Sequence, residues 1–230
     1  MDIFKTNTII DKFAYEKEYL SLGYKNICGV DEVGRGCLFG PVTVAAVIMP
    51  LELDNDSIKR DLIIKDVDDS KKISPRKREE LYDKIIENAL CYSIYSIDSK
   101  TIDEINIYNA TKLAMIKAIE NLELKPDVLL IDAVKLDIDI KQCSITKGDF
   151  KSYSIGCASI VAKVFRDRMM NELPEEYQKY KIAKNKGYGT KEHIKAIDMY
   201  GASDMHRYSF EPIKSLNNNI KEDETDSLPL

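Results

Sequence analysis

The stretch GVDEVGRGCLFGPV, Gly29 to Val42, sets two adjacent acids, Asp31 and Glu32, against a glycine-rich loop. On either side the chain is apolar and β-branched, with Ile27 and Val30 before the acids and VTVAAVIM from Val42 to Met49 after the loop. That composition predicts a strand entering the acids and another leaving the loop. Consecutive strand residues point to opposite faces, so neighbouring carboxylates cannot both be buried in one core. At least one faces a cleft or solvent. Carboxylate oxygens are the ligands preferred by hard cations such as Mg2+, which usually takes one or two of them together with substrate phosphate. An Asp-Glu pair alone is a common dipeptide and reads as a solvated acidic turn. The glycines change that, because Gly34 and Gly36 flank Arg35 and leave amides that approach a ligand closely and take positive φ without steric cost. A dinucleotide-binding loop would need a helix directly after the glycines. Gly40-Pro41 and the β-branched run behind it exclude one.

Outward from this stretch, strands and helices alternate. Residues 11–22 (DKFAYEKEYLSL) space charged and apolar positions as a helix does and end at Gly23, a C-terminal cap. Leu53 to Lys72 is charge-rich and reads as an irregular surface loop closing on DDSKK. Ser74-Pro75 is an N-cap followed by proline at the first helical position, and Leu81, Tyr82, Ile85, Ile86 and Ala89 give the next helix one apolar face. Cys91 to Ile97 alternates and predicts a strand. From Thr101 to Leu122 the spacing predicts one helix, with Ile102, Ile105, Tyr108, Leu113, Ile116 and Ile119 as its core stripe. Pro126 precedes VLLI, an apolar run that suits a strand buried on both faces and ends at Asp132. Open α/β sheets place ligands at the ends of parallel strands, so Asp132 repeats the logic of Asp31.

A short strand from Cys143 to Thr146 leads to Lys147-Gly148-Asp149. Ser152 to Met170 reads as a mostly buried helix, with Ser152, Gly156, Ser159, Lys163, Arg166 and Asp167 on one small-then-polar side. Asp167, between Arg166 and Arg168, suits an ion-paired structural role but rivals Asp149 as a metal ligand. Between Lys179 and Lys195 six lysines stand against one glutamate, Glu192, with Tyr180 and Tyr188 interleaved. A lysine run is usually a solvated face; in a chain of formal net charge -5 this concentration points to phosphate contact. Thr190 caps a helix to Tyr200, which Gly201 ends.

The chain of 230 residues suits one domain with a small appended lobe. Hydrophobic residues at 44% and charged ones at 32% are an ordinary soluble balance. No apolar run approaches the ~20 residues of a spanning helix, and MDIFKTNTII lacks the cationic start and apolar block of a signal peptide. A cytoplasmic protein is expected. Five cysteines, Cys28, Cys37, Cys91, Cys143 and Cys157, contain no C-x-x-C pair and read as free thiols. With only His193 and His206 beside them, a Cys/His zinc site is not expected. The polar, acidic sequence after Ile213 predicts a disordered tail. The element order is an α/β pattern with mixed sheet pairing.

DEVGRG followed by GPV resembles the N-terminal signature of ribonuclease HII. The likeness continues, in family order, through DDSKKIS, IDEINIYNATKLAM, LLIDA, KGDFKSYSIGCASIVAKVFRDR and KGYGTKEH, over roughly residues 26–212. Ribonuclease HIII is similar too, but usually has Thr where Arg35 stands and carries an extra N-terminal domain. The resemblance implies a ribonuclease H-like fold, a five-stranded mixed sheet flanked by helices. It divides the chain into an N-terminal helical extension (1–25), a catalytic core (26–170), a C-terminal helical lobe (171–213) and an acidic tail (214–230). It places the fourth metal acid at Asp149, so that Asp31, Glu32, Asp132 and Asp149 would hold two Mg2+ or Mn2+ ions roughly 4 Å apart.

The implied activity is cleavage of the RNA strand of RNA-DNA hybrids, and 5′ to single ribonucleotides in duplex DNA, by a monomer, leaving 5′-phosphate and 3′-hydroxyl ends. Gly34, Arg35 and Gly36 would contact the 2′-hydroxyl and Tyr188 the neighbouring sugar. Ser70, Lys71, Lys147, Lys163 and Lys186 are implied phosphate contacts. Two departures stand out: Ala133 where the family often has Gly, and Gly156-Cys157 where Ala is common. Two other classes remain open. A nucleic-acid binding module with structural acids would show no metal-dependent turnover, and a two-metal phosphatase on small phosphoesters would leave the lysine segment without a purpose.

Overall fold

The computed structural model describes residues 11–68, 70 and 72–216. Its strands are Ile27–Val33 (β1), Val42–Ile48 (β2), Leu53–Asp54 (β3), Ser57–Ile58 (β4), Cys91–Ile97 (β5), Val128–Asp132 (β6) and Lys141–Ile145 (β7). The helices are Ala14–Ser21 (α1), Pro75–Asn88 (α2), Ser99–Glu120 (α3), Gly148–Lys151 (α4), Tyr153–Asn171 (α5), Ile182–Asn185 (α6) and Lys191–Tyr200 (α7). Five strands form one mixed sheet in the order β5-β2-β1-β6-β7, the α/β architecture expected. All seven residues of β2 are buried, as an apolar run without alternation requires. No helix among the described residues is long and apolar enough to cross a membrane.

Local signals set most boundaries. The Ser74 hydroxyl accepts from Lys77 N–H at 3.3 Å with Pro75 behind it, and Thr190 caps α7 by accepting from His193 N–H at 3.3 Å. Gly23 and Gly201, at φ 90° and 73°, take the positive φ that ends a helix. Three features depart from the reading of the sequence. The single helix expected from Thr101 is broken at Asn106, φ 66°, whose side chain accepts from Asn109 N–H at 3.1 Å and starts a second segment. Apolar spacing runs straight across that break, so periodicity alone could not show it. The loop from Leu53 carries the β3–β4 hairpin, turned through Asn55 at φ 54° without the Asn-Gly pair that marks such turns. A short helix, α4, precedes α5. The acidic tail lies, from residue 217 onward, outside the described residues.

The chain separates into two compact units, each considered by itself. The first falls within Met1–Asp31, Ala46–Tyr92 and Leu122–Ile160. Its β1 and β6 pair in parallel from Ile27↔Val128 to Val30↔Ile131, and β6 pairs in parallel with β7 to Asp132↔Ile145. Tyr19, Ile27, Val128, Leu130, Ile145 and Ile155 form its core. Fully buried Glu16 of α1 accepts from Ser152 Oγ at 2.6 Å and Ser154 N–H at 2.9 Å, satisfying donors where α5 begins. The second unit, within Glu32–Ala45, Ser93–Asn121 and Val161–Leu230, is cored by Phe39, Met170, Tyr177, Tyr180, Ile182, Ile197 and Ile213 among others.

In the first unit a Cβ at Gly29 would stand 2.0 Å from the Ser154 carbonyl oxygen and 2.6 Å from Ile155 N. Strand and helix meet there backbone to backbone. Gly29→Ala is therefore expected to cost more than about 3 kcal/mol, whereas Ser74→Ala, which removes one cap, costs about 1 kcal/mol. Urea unfolding of the two variants checks the order.

Candidate active site

In the first unit, Asp31 and Asp132 are the residues that follow Val30↔Ile131, the last pair of the parallel β1–β6 register. Neighbouring strands lie about 4.8 Å apart, so two carboxylates stand on adjacent parallel strands, Asp132 as the last residue of β6 and Asp31 two residues before the end of β1. Asp31 is only 6% exposed. Asp132 is half-buried, and its Oδ1 accepts from Gly148 N–H at 2.7 Å. That bond draws the start of α4, and with it Asp149, to the end of β6. A Cβ at Gly148 would meet Ile155 Cδ1 at 2.6 Å and Asp132 Oδ1 at 3.3 Å, so any larger residue would make the Ile155 side chain shift. Asp149 accepts from Phe150 N–H at 2.9 Å, and exposed Lys147 adopts a left-handed conformation just before the helix. Glu32 follows Asp31 on β1 and has Arg35 Nη1 3.7 Å from its Oε1.

Both departures noted in the sequence have a structural meaning. Ala133 sits at φ 50°, a conformation that glycine takes freely and alanine at a cost of about 1 kcal/mol. A Cβ at Gly156 would stand 3.1 Å from Val67 and 3.3 Å from the Asp149 carbonyl, so alanine there would push on the residue behind the acid.

Among the described residues no three His, Cys, Asp or Glu side chains form a group that could hold a metal ion unaided. The donor set nevertheless fits a hard cation, which takes few carboxylates and completes its shell with water and phosphate oxygens.

The second unit holds the glycine loop. Gly34 has φ 85°, and a Cβ on it would lie 2.4 Å from Arg166 Nε. Gly36 is different from expectation: its φ is not positive, and nothing lies within 4 Å of an added Cβ. The loop is framed by two fully buried arginines. Arg166 donates to the carbonyls of Pro41 at 3.0 Å, Phe39 at 3.0 Å and Lys186 at 2.7 Å. Arg207 donates to Gly40 O at 2.9 and 3.0 Å and to Arg35 O at 2.9 Å. Arg166, expected on a polar face of its helix, is thus a structural clamp. Buried Cys37 bonds Lys186 O through its thiol at 3.5 Å. Burial, with that thiol beside it, pushes the Tyr188 phenol up. The Tyr188 ring remains 39% exposed.

The basic candidates separate. Lys163 and Asp167 pair at 2.7 Å, each 16% exposed. Lys184 pairs with Glu192 at 3.0 Å, so part of the lysine run is neutralised internally. Lys186 bonds Asn171, and burial pushes its ammonium down. Ser70 is 3% exposed and shares a 2.9 Å bond with Ser159. Lys71 lies outside the described residues. Neither the arginine clamps nor the contact between the two histidines, described below, was foreseen from sequence. Their partners are backbone carbonyls and one another, which leave no pattern in side-chain spacing.

A mixed five-stranded sheet flanked by helices is the frame of the ribonuclease H-like fold. The family model for ribonuclease HII matches residues 28–213. The chain is 52% identical over 199 residues to the ribonuclease HII of Caldicellulosiruptor bescii, across 86% of this chain and 92% of that one. It is 48% identical over 206 residues to that of Bacillus subtilis, across 90% and 77%. The crystal structure of ribonuclease H2 from Pyrococcus horikoshii OT3 superposes with a TM-score of 0.67 at 25% identity, covering 86% of this chain and 99% of that one. Bst-RNase HIII in complex with Mn2+ shares the fold, with a TM-score of 0.61 at 21% identity over 88% and 72%. The chain belongs to the ribonuclease HII family. It is an endonuclease of that kind.

The two loop glycines are expected to respond differently to alanine. Gly34→Ala should cost about 2–4 kcal/mol, from left-handed φ and overpacking against Arg166 together. Gly36→Ala should leave the melting temperature unchanged, so any lost cleavage would report on substrate. Thermal unfolding beside an activity assay distinguishes the two.

Proposed function

We propose that this ribonuclease HII cuts the RNA strand of RNA-DNA hybrids and cuts 5′ to single ribonucleotides in duplex DNA, leaving 5′-phosphate and 3′-hydroxyl ends. Asp31, Glu32, Asp132 and Asp149 would hold two divalent cations, Mg2+ or Mn2+. The observation that carries this reading is the β1–β6 register, whose last pair is followed by Asp31 and Asp132, with Gly148 N–H bonding the second of them. Cations held by these carboxylates would supply Lewis-acid stabilisation of the charge that develops on phosphate oxygens. Without them the gathered carboxylates repel one another. Asp132, with one oxygen committed to Gly148 N–H, keeps its orientation and presents the other oxygen to a ligand.

Choice of RNA over DNA rests on the 2′-hydroxyl. Gly34, Arg35 and Gly36 would meet it with backbone groups, supported by the open space at Gly36 and by the clamps that fix the carbonyls around the loop. The exposed face of Tyr188 would pack on the neighbouring sugar. Lys147, Lys163 and Lys186 would contact phosphates, Lys147 being the exposed one of the three.

Incubation with Mg2+ and a labelled duplex carrying one ribonucleotide tests the whole reading: 5′ incision supports it, and binding without turnover replaces it with a nucleic-acid binding module. Asp149→Asn is expected to abolish nearly all cleavage in a folded protein. Asp167→Asn, which breaks the pair with Lys163, should instead cost about 1–2 kcal/mol of stability, between the values for exposed and buried pairs. Total loss of activity in a well-folded Asp167→Asn protein would reverse the two roles.

For the tyrosine, Tyr188→Phe should retain most activity. Tyr188→Ala should lower cleavage at a single ribonucleotide about ten-fold more than cleavage within a continuous hybrid. Equal slowing on both substrates would make Tyr188 a general packing residue.

A further inference from the structure

His193 and His206 are both fully buried, and their Nε2 atoms are 3.1 Å apart. The outer nitrogens decide which ring carries the proton between them. At one end, Ser203 N–H donates to His206 Nδ1 at 2.9 Å, so that nitrogen is an acceptor and the neutral ring bears its hydrogen on Nε2. At the other end, His193 Nδ1 lies 2.9 Å from the Tyr188 carbonyl oxygen, which only accepts, so Nδ1 carries the hydrogen and Nε2 has a free lone pair. The two ends were assigned independently, and they agree in the middle: His206 Nε2–H donates to His193 Nε2.

We propose that the two histidines form a one-way hydrogen-bond relay, from Ser203 through His206 and His193 to the carbonyl of Tyr188, that positions Tyr188 for its substrate. The positioning role rests on the sugar contact proposed for Tyr188; the relay itself does not. Ser203 Oγ also lies 2.8 Å from His206 Nδ1, and the reverse direction could turn that hydroxyl into an acceptor, but it would still set two N–H groups against each other at Ser203 and two lone pairs against each other at Tyr188. A second proton on either ring would likewise oppose N–H to N–H. Burial holds both imidazoles neutral, pushing His206 down to about 4 with His193 beside it. The rings are walled by Phe39 and Tyr180, whose centroids lie 4.9 and 4.7 Å from that of His206.

Tyr188 is gripped at both ends of its backbone. Its carbonyl also accepts from Thr190 N–H at 2.8 Å, and its own N–H donates to Asn185 O at 3.0 Å. The ring faces solvent from a main chain that has little freedom to shift. The histidines are positioning residues, since neither touches substrate.

With two histidines in the chain, 15N-histidine labelling of protein without an affinity tag gives a two-imidazole spectrum. At pH 7 one ring should be the Nε2–H tautomer and the other the rarer Nδ1–H tautomer, assigned to His206 and His193 by their couplings. Two Nε2–H rings, or a doubly protonated ring, would overturn the relay. His206→Gln keeps an N–H donor toward His193 and should preserve the preference for a single ribonucleotide over a continuous hybrid. His206→Leu removes the donor and should lower that preference roughly ten-fold, as Tyr188→Ala does. If the tautomers are as stated but Tyr188→Ala leaves the preference unchanged, the reading of Tyr188 fails while the relay stands. If Tyr188→Ala shifts the preference and His206→Leu, folded, does not, the positioning role is overturned. Should His206→Leu not fold, a loss of preference in folded His206→Gln, where Tyr188→Ala shifts it, still overturns the positioning role, and the wild-type spectrum still decides the relay.

Discussion

Parallel pairing of β1 with β6, from Ile27 opposite Val128 to Val30 opposite Ile131, is the constraint on which the placement of the acids depends. A slip of one residue would turn every side chain of the shifted strand to the other face. Asp31 would then no longer have Asp132 beside it. The register is held from two sides. The apolar run of β6 is buried, and Gly29 lets β1 lie against the backbone of Ser154 and Ile155, a contact that no residue with a Cβ could make. The hydrogen bond from Gly148 to Asp132 then carries the same register forward to Asp149.

The second unit reaches rigidity by other means. Its glycine loop buries Cys37, Leu38 and Phe39 at one end, and the shape of its main chain is set through carbonyl oxygens. Burying a guanidinium is costly unless its N–H groups are satisfied, and Arg166 and Arg207 satisfy theirs on the main chain of residues 35–41 and 186. Burial pushes Arg207 down to about 10, which leaves it charged at neutral pH. Five donors in a fixed planar fork suit this task as a lysine ammonium would not. The glycine loop is therefore held through its main chain as well as through its buried side chains.

Much of this was legible in the sequence because it depends on neighbours along the chain. Ser74-Pro75, Thr190 and the closing glycines at 23 and 201 each mark a helix end through a local bond or a local φ. The buried strands announced themselves as apolar runs, and Asp132 as the acid that ends one of them, whereas β1 runs on past Asp31 to Val33. What was hidden depends on distant partners or on conformations several residue types share. Asn106 breaks a helix through a positive φ that its composition does not betray. Arg166 was placed on the polar side of a mostly buried helix, but its partners could not be read because they are carbonyls over a hundred positions away, at Phe39 and Pro41. Lys184 looked free because Glu192 lies two turns of chain beyond it. The pairing of His193 with His206 joins a helix to a loop, and neither segment hints at the other.

Glu16, which holds α1 to the start of α5, also makes proton uptake part of folding. Burial pushes its carboxyl above the ordinary glutamate value, against the bonds from Ser152 and Ser154 that pull it back. The folded chain thus holds this proton more tightly than the unfolded chain does. The stability it contributes is present below the unfolded value and fades as pH rises through the raised one. Asp127 in the same unit works in the opposite sense, since the amides of Asn26 and Lys25 pull its carboxyl down, and its contribution fades as pH falls. One carboxyl anchors a helix best when protonated and the other anchors a strand entrance best when ionised, so the unit's resistance to acid and to base is divided between two different joints.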